Sequence, residues 1–320
     1  MSRALAIALL LLAVAACNRG SSDRGATRVA LNWKPEPEFG GLYEAVHGGA
    51  FARHGVSVEI TGGPGAPVVQ MIESGQVEFG VVSADEVLIA RDRGVDLVAV
   101  FATYQTNPQG IMVHAQRRAT ALPEVFSEGG RLAVEPGLAY VKYLQQHYDF
   151  SKLAVVPYSY SIGPFLTDAG LAQQVFVTAE PIAARRSGAD VRVFLVADSG
   201  FNPYAAVYAT RGSRAREARA EVEGFVAALR EGWSGYLRDP RASNQAMARL
   251  NTEMDAETFE KAAAAQRPLI ESVSAGGALG SMTTERWDEL GKQLQALGLL
   301  DHPAKPGECW FDAGTSGSTR

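Results

Sequence analysis

The stretch from Asn32 to Tyr43 holds the residue types best suited to binding a small molecule. It follows the apolar run Val29–Leu31, contains two prolines and leads through Gly40–Gly41 into an apolar segment, which predicts a strand end, a loop and a helix start. Aromatic faces stack on planar ligands, and carboxylates accept N–H groups. The residues concerned are Trp33, Phe39, Tyr43, Glu36 and Glu38. The loop predicts a site for a flat ligand with N–H groups or positive charge; an exposed acidic loop beside a core tryptophan is the alternative.

Alternating strands and helices place further polar groups beside this loop. The pattern predicts strands at 29–31, 56–60, 76–82 and 97–101, and helices at 42–53 and 84–91. Parallel strands joined by helices bind ligands at their carboxyl ends. Three such ends bring Trp33, Ser83, Asp85 and Tyr104 to one rim. Capping of the helix at 84–91 is an alternative role for Ser83 or Asp85.

A second series of strands and helices follows the linker-like residues 105–109. Its strand ends carry Glu135, Tyr158, Tyr160 and Glu180, and Tyr204 precedes a return strand at 205–210. The later segments are helical and are expected to pack back on the first series. We therefore predict an α/β fold of two lobes, formed by residues 28–109 plus 205–312 and by residues 110–204, with a disordered tail at 313–320.

The first residues have the composition of an export signal. Residues 4–16 contain no polar side chain and end in Val14-Ala15-Ala16-Cys17, which resembles a bacterial lipoprotein cleavage box. The expectation is a signal peptide at 1–16, a lipid on Cys17 and a flexible tether at 17–27. A plain signal peptide with an incidental cysteine is the alternative. No later run is long and apolar enough to cross a membrane.

Charge and motif content argue against several other functions. The formal charge of −5, without a basic stripe, gives no footprint for nucleic acid. The chain lacks Gly-x-Ser-x-Gly, His-Glu-x-x-His and Cys-x-x-Cys, and its five histidines are scattered. Asp85–Glu86 has the composition of an acid/base pair, but helix capping explains it more simply. We expect neither catalysis nor a metal or cofactor. With Cys17 lipidated, Cys309 remains alone and no intrachain disulfide forms.

Several segments, in order, resemble the thiamine-precursor branch of ABC-importer solute-binding proteins. They are Asn32–Glu36, Gly41–Tyr43, Ser74–Val81, Gly232–Trp233 with Asp239–Pro240, and Trp287 with Gly298–Leu300. Related members take up riboflavin, sulfonates or nitrate, and fungal thiamine-pyrimidine synthases share the fold. The resemblance implies a type II periplasmic binding protein fold that clamps a ligand between hinged lobes and docks on a permease.

The same resemblance assigns roles to individual positions. It makes Trp33 an aromatic platform, and Ser83-Ala84-Asp85 a loop whose polar groups hold the ligand. Glu36 departs from the amide often found in thiamine-precursor binders, and Phe39 departs from a polar residue. The cysteine-rich iron motif of the synthases has no counterpart in the sequence.

The resulting hypothesis is a monomeric, lipid-anchored solute-binding protein on the outer side of a cell membrane. It would deliver a small aromatic N-heterocycle, such as a thiamine-type pyrimidine, to the permease and ATPase subunits of an ABC importer. Anions should bind poorly, because carboxylates line the predicted rims and no arginine is evident there. A sulfonate (taurine) or nitrate binder, a synthase-like enzyme and a sensor lipoprotein without an importer are the alternatives.

Overall fold

The computed structural model describes residues 25–271 and 278–313, which form two five-stranded sheets flanked by helices. The first sheet has the order β2-β1-β3-β10-β4, with β10 antiparallel to both of its neighbours. Parallel pairing joins β1 to β2 and β3. The strands are β1 (Thr27–Leu31), β2 (Val58–Gly62), β3 (Phe79–Val82), β4 (Leu97–Tyr104) and β10 (Ala205–Arg211).

The second sheet repeats this arrangement. Its order is β7-β6-β8-β5-β9, and β5 is antiparallel to β8 and β9. In each sheet the antiparallel strand is the first strand that the chain forms after it crosses from the other lobe. The strands are β5 (Gln109–His114), β6 (Gly130–Val134), β7 (Leu153–Pro157), β8 (Leu171–Phe176) and β9 (Val191–Leu195).

Helices cover the faces of both sheets. The first lobe carries α1 (Gly40–His47), α2 (Ala50–Arg53), α3 (Val68–Glu73), α4 (Ala84–Asp92), α9 (Gly212–Glu217), α10 (Arg219–Arg238), α11 (Arg241–Ala248), α12 (Ala256–Glu271), α13 (Thr284–Ala296) and α14 (Pro306–Cys309). The second carries α5 (Leu122–Glu128), α6 (Ala139–His147), α7 (Gly163–Thr167) and α8 (Glu180–Arg186). Short 3₁₀ turns occupy Pro37–Phe39 and Val196–Ser199.

The late helices pack against the first sheet, as the amphipathic pattern predicts. The apolar side chains Val222, Phe225, Leu229 and Trp233 of α10 are buried, and Trp233 packs against Gly41 of α1. The predicted single helix at 42–53 is wrong. It divides into α1 and α2, because Gly49 adopts a left-handed backbone with φ of 73° that a continuous helix does not allow.

Arg286 holds together the two chain crossings that connect the lobes. Its guanidinium carbon lies 3.9 Å from the ring centroid of Tyr204. It donates to the carbonyl oxygens of Gln105 at 2.6 Å and Asn202 at 2.8 Å, one on each crossing. The backbone N–H of Asn107 also donates to Asn202 Oδ1 at 2.8 Å. The crossings are thus fixed side by side, as expected of a hinge.

Several sequence predictions fall wholly or partly outside the described residues. The signal peptide at 1–16, the lipid site Cys17 and residues 314–320 of the predicted tail lie outside them. The predicted tether at 17–27 extends one residue too far, because Thr27 already pairs with Val58 in β1. The lobe limits, 28–109 plus 205–312 and 110–204, stay a prediction. Among the described residues, no helix combines the length and apolar character needed to span a membrane.

Candidate functional site

Two cavities lie in the cleft where the carboxyl ends of the two sets of strands face each other. The larger, of about 520 Å³, is lined from the first lobe by Trp33, Lys34, Glu36, Asn251, Asp255 and Thr258, and from the second by Tyr158, Tyr160, Glu180 and Arg186. The smaller, of about 160 Å³, is lined by Asn32, Glu38, Ser83, Asp85, Asn107, Gln109, Tyr140 and Phe176. Residues of both lobes thus surround each cavity.

Aromatic rings from the two lobes face each other across the larger cavity. Trp33 follows β1, and Tyr160 follows β7; their ring centroids are 6.3 Å apart and their planes are inclined by 31°. The ring centroid of Tyr158 lies 5.2 Å from that of Tyr160. A flat guest between two rings needs about 7 Å, twice the carbon contact distance of roughly 3.5 Å. A small outward movement would therefore make room for one aromatic ring.

Tyr160 is held in an unusual conformation. Its φ of 56° is in the left-handed region, which a residue with a Cβ rarely adopts. The side chain is 60% exposed at the opening of the larger cavity. Such backbone strain, combined with an exposed aromatic ring, is characteristic of positions that serve a ligand rather than the core.

Three carboxylates converge on the cleft from both lobes. Glu180, the first residue of α8, accepts hydrogen bonds from the Tyr158 hydroxyl at 2.9 Å and from the Phe176 N–H at 2.8 Å. Glu36 receives an N–H of Asn251 at 3.4 Å. Burial, together with the charge of Glu180, raises the pKa of Glu36 to about 7. Burial also raises the pKa of Glu180 and that of Glu38.

Within the described part of the chain, Glu36, Glu38 and Glu180 have no ion-pair partner, unlike Glu253 and Asp255, which line the same larger cavity. The nearby Lys34 is paired with Glu253 instead. Arg186, which also lines the larger cavity, is paired with Asp255 and Glu257. A cluster of buried carboxylates without a counter-cation favours a cation or a ligand with several N–H donors.

The smaller cavity has a similar chemical character. Asp85 lines it, and burial raises the pKa of its carboxyl group. Ser83 caps α4: its hydroxyl oxygen accepts the N–H of Glu86, and the Glu86 carboxylate accepts the N–H of Ser83 at 2.7 Å. Capping thus uses Ser83 and Glu86, while Asp85 remains directed at the cavity.

Four of the predicted ligand contacts are core residues, which corrects their expected place on the cleft surface. Phe39 and Tyr43 are spaced by four residues along a helical segment, so both turn inward. Tyr104 ends a strand buried on both faces and donates its hydroxyl to Gln266 at 2.8 Å. Tyr204 lies under Arg286 at the hinge. A side chain without exposed surface cannot stack on a ligand.

The other predicted residues take different positions. Trp33, Glu36, Tyr158 and Glu180 meet in the larger cavity, and Ser83 and Asp85 meet in the smaller one. Glu135 lines neither cavity, although its charge raises the pKa of the Tyr160 hydroxyl. Whether any of them contacts a ligand stays a prediction.

The lining residues that sequence reasoning missed include Arg186, Asn251 and Asp255. Asn251 and Asp255 belong to the connection between α11 and α12, far along the chain from the cleft's other residues. They reach the larger cavity only because α12 packs against the Pro37–Phe39 turn. No local pattern marks such a contact, although Asp255 was recognisable as a helix cap.

Glu36 is expected to make stability depend on pH. Its folded-state pKa of about 7 exceeds the value of 4.5 for an exposed glutamate, so between these values the folded state binds more protons. The free energy of unfolding should therefore fall as the pH rises from about 4.5 to 7, by at most about 3 kcal/mol, and stay low above that range.

Urea unfolding at several pH values measures this effect. Glu36→Gln should remove this part of the pH dependence and stabilise the protein at pH values above 7. Glu73→Gln, an exposed position on α3, is the control and should leave the wild-type profile unchanged. Identical pH profiles for wild type and Glu36→Gln would contradict the assignment.

Comparison with known proteins identifies the family. The family model described as NMT1/THI5 like matches residues 36–243. The chain belongs to the NMT1/THI5-like family. This confirms the resemblance inferred from the sequence segments. The matched residues include both Glu36 and Glu38 of the first lobe and the whole of the second lobe's sheet.

Relatives of this NMT1/THI5-like chain are named as binding proteins. It is 22% identical to the formylaminopyrimidine-binding protein of Halalkalibacterium halodurans, over 93% of this chain and 94% of that one. The alkanesulfonate-binding protein SsuA of Xanthomonas axonopodis pv. citri, solved with MOPS, superimposes with a TM-score of 0.68 at 13% identity, covering 91% and 100% of the two chains.

The periplasmic aliphatic sulphonate binding protein SsuA of Escherichia coli gives a TM-score of 0.69 at 15% identity, covering 92% of this chain and 96% of that one. These likenesses confirm the predicted fold, that of periplasmic binding proteins with two α/β lobes. At such identities they show the fold alone.

Proposed function

We propose that this protein is the solute-binding component of an ABC importer and that it captures an aminopyrimidine of the thiamine-precursor type between its lobes. One observation supports this most strongly: facing aromatic rings share the larger cavity with Glu36 and Glu180, two partly buried carboxylates without an ion-pair partner among the described residues. A flat, nitrogen-rich heterocycle satisfies both, through stacking and through N–H donation. The relative named for formylaminopyrimidine binding supports the same choice.

The proposed binding mode places the ring between Trp33 and Tyr160. The exocyclic amino group donates to Glu180, and a second N–H or a protonated ring nitrogen faces Glu36. Stacking contributes about 1–3 kcal/mol per ring, and each charge-assisted hydrogen bond about 1.5–3 kcal/mol. Micromolar affinity needs about 8 kcal/mol, which this combination reaches when lobe closure also excludes water.

Sulfonates are disfavoured as ligands on electrostatic grounds. Glu36, Glu38, Asp85 and Glu180 present negative charge or protonated carboxyls to both cavities. Arg186 is the one basic side chain of the second lobe that lines the larger cavity, and its charge is already matched by Asp255. An anion would therefore enter without a free cationic partner, although solved relatives with this fold bind sulfonates.

The remaining parts of the proposal concern the protein's place in the cell. We infer an exported monomer, tethered by a lipid on Cys17, that releases its ligand unaltered to a permease with its ATPase. Binding without turnover is supported by the lining of the two cavities: it includes hydroxyl groups such as those of Ser83, Ser161 and Thr258, but no histidine that could activate them as nucleophiles.

Isothermal titration calorimetry of the mature chain tests the ligand class. Formylaminopyrimidine and the free aminopyrimidine of thiamine should bind at micromolar or lower concentration, while taurine and nitrate should not bind. Native mass spectrometry before and after incubation should recover the aminopyrimidine with unchanged mass. Binding of taurine or nitrate alone would refute the ligand class, and a changed ligand mass would refute the non-enzymatic role.

A further inference from the structure

Arg186 connects the two lobes across the opening of the larger cavity. It is the last residue of α8 in the second lobe, and its Nη1 donates to Asp255 Oδ1 and Thr258 Oγ1 at the start of α12 in the first lobe. Its Nη2 lies 3.7 Å from Glu257 Oε2. Arg186, Asp255 and Thr258 all line the cavity.

The Arg186 contacts differ from the other ion pairs because they lie between the lobes. Of the ion pairs in the described part of the chain, those of Arg186 are the ones that join an element of the second sheet's lobe to an element of the first. Arg131 with Asp168, for comparison, lies wholly within the second lobe. Opening of the cleft about the hinge would separate α8 from α12 and break the Arg186 contacts, while Arg131 and Asp168 would stay together.

Asp255 is built to receive the arginine. Its Oδ1 also accepts the N–H of Thr258 at 2.9 Å, which caps α12 and fixes the carboxylate in place. An immobilised acceptor loses less side-chain entropy on pairing than a free one. On the facing side, Ala183 of α8 and Ser187, which follows that helix, line the same cavity, and the partial exposure of both charged side chains places the pair at the boundary with solvent.

We infer that Arg186 is a latch residue, which holds the closed form through Asp255 and Thr258 and slows the release of bound ligand. The identity of the released ligand rests on the proposed function. The role of the Arg186 contacts in holding the lobes together does not. The pair forms only when the lobes meet, so it stabilises the closed state alone. Separation of α8 from α12, which would widen this side of the larger cavity, requires the pair to break.

The pair is partly exposed, with 33% of the Arg186 side chain and 53% of the Asp255 side chain accessible. Its contribution should therefore be modest and sensitive to salt. Loss of the latch should speed ligand release by about 3- to 10-fold at low ionic strength, the range expected for a partly exposed charge-assisted contact. Added salt should speed release from the wild type and have little effect on the variant.

The test compares Arg186→Gln, Asp255→Asn and the double variant with wild type. Asn retains the helix cap, so Asp255→Asn removes the charge pair without removing the cap. Release of the free aminopyrimidine of thiamine is followed by stopped-flow tryptophan fluorescence at low and high salt. Each single variant should release it faster, and the double variant no faster than the singles. Arg131→Gln is the matched control and should behave as wild type.

Small-angle scattering of the ligand-free proteins separates this inference from the ligand assignment. Arg186→Gln and Asp255→Asn should show a larger radius of gyration than wild type and Arg131→Gln, with no ligand present. An unchanged radius together with unchanged release rates would overturn the latch. A wild type that fails to bind the aminopyrimidine refutes the proposed function instead, and the scattering comparison still decides the latch.

Discussion

Trp33→Ala is expected to weaken binding of the aminopyrimidine by about 10- to 100-fold, the range given by loss of one stacking face. Trp33 is the first-lobe half of the aromatic pair, and its partner Tyr160 alone cannot enclose the ring. The indole also hydrogen-bonds to Glu36, which lowers the pKa of that carboxyl against the larger effects of burial and Glu180. The alanine variant therefore loses both a platform and an orienting group.

Calorimetric titration measures the change in affinity, and two further variants show which property of Trp33 causes it. Trp33→Phe keeps a flat face and should lose about 10-fold or less, because it removes only the indole N–H and part of the stacking area. Trp310→Phe, remote from both cavities, is the control and should leave affinity unchanged. Equal affinity of wild type and Trp33→Ala would remove the aromatic platform from the proposal.

Glu180→Gln should reduce affinity for the aminopyrimidine by about 10- to 100-fold, as expected when a charged acceptor is replaced by a neutral amide. The fold should tolerate the change. The amide oxygen can accept the Phe176 N–H, and the amide nitrogen can donate to the Tyr158 hydroxyl oxygen, because a hydroxyl either donates or accepts. Lost binding would then report on the ligand contact rather than on misfolding.

The ligand-free Glu180→Gln protein should be more stable than wild type at neutral pH. The charge of Glu180 raises the pKa of Glu36 and of Glu38, so the two lobes carry mutually repelling carboxylates. Removing one charge relieves that repulsion. Thermal unfolding and calorimetric titration together distinguish this outcome from a structural role, in which stability would fall along with affinity. Glu73→Gln, an exposed position on α3 outside the lining of both cavities, is the matched control and should change affinity little.

Local sequence chemistry was sufficient to predict part of the lining of the two cavities. Trp33 and Glu36 were predictable because a strand, a proline-containing loop and a helix follow one another within a few residues. Glu180 and Tyr158 were predictable because they follow strands β8 and β7. Both inferences use the rule that parallel strands present their carboxyl ends at one edge.

The remainder depends on packing that no short pattern encodes. Phe39 and Tyr43 share the loop's favourable composition, but the helical segment begins at Pro37 and turns both rings into the core. The pairing of Arg186 with Asp255 joins residues 69 positions apart. The expectation that no arginine borders the cleft was therefore wrong, because Arg186 lines the larger cavity. Since Arg186 is paired with Asp255, the argument that an anionic ligand would lack a free cationic partner still applies.

The antiparallel strand in the first sheet also constrains the order in which the chain can fold. The first sheet places β10 between β3 and β4, although some hundred residues of the other lobe are synthesised before it. Until Ala205–Arg211 arrives, the hydrogen-bonding edges of β3 and β4 have no neighbour on that side. The first sheet therefore cannot be completed until residues 205–211 have been synthesised, whereas the second sheet uses only strands β5–β9, which precede them.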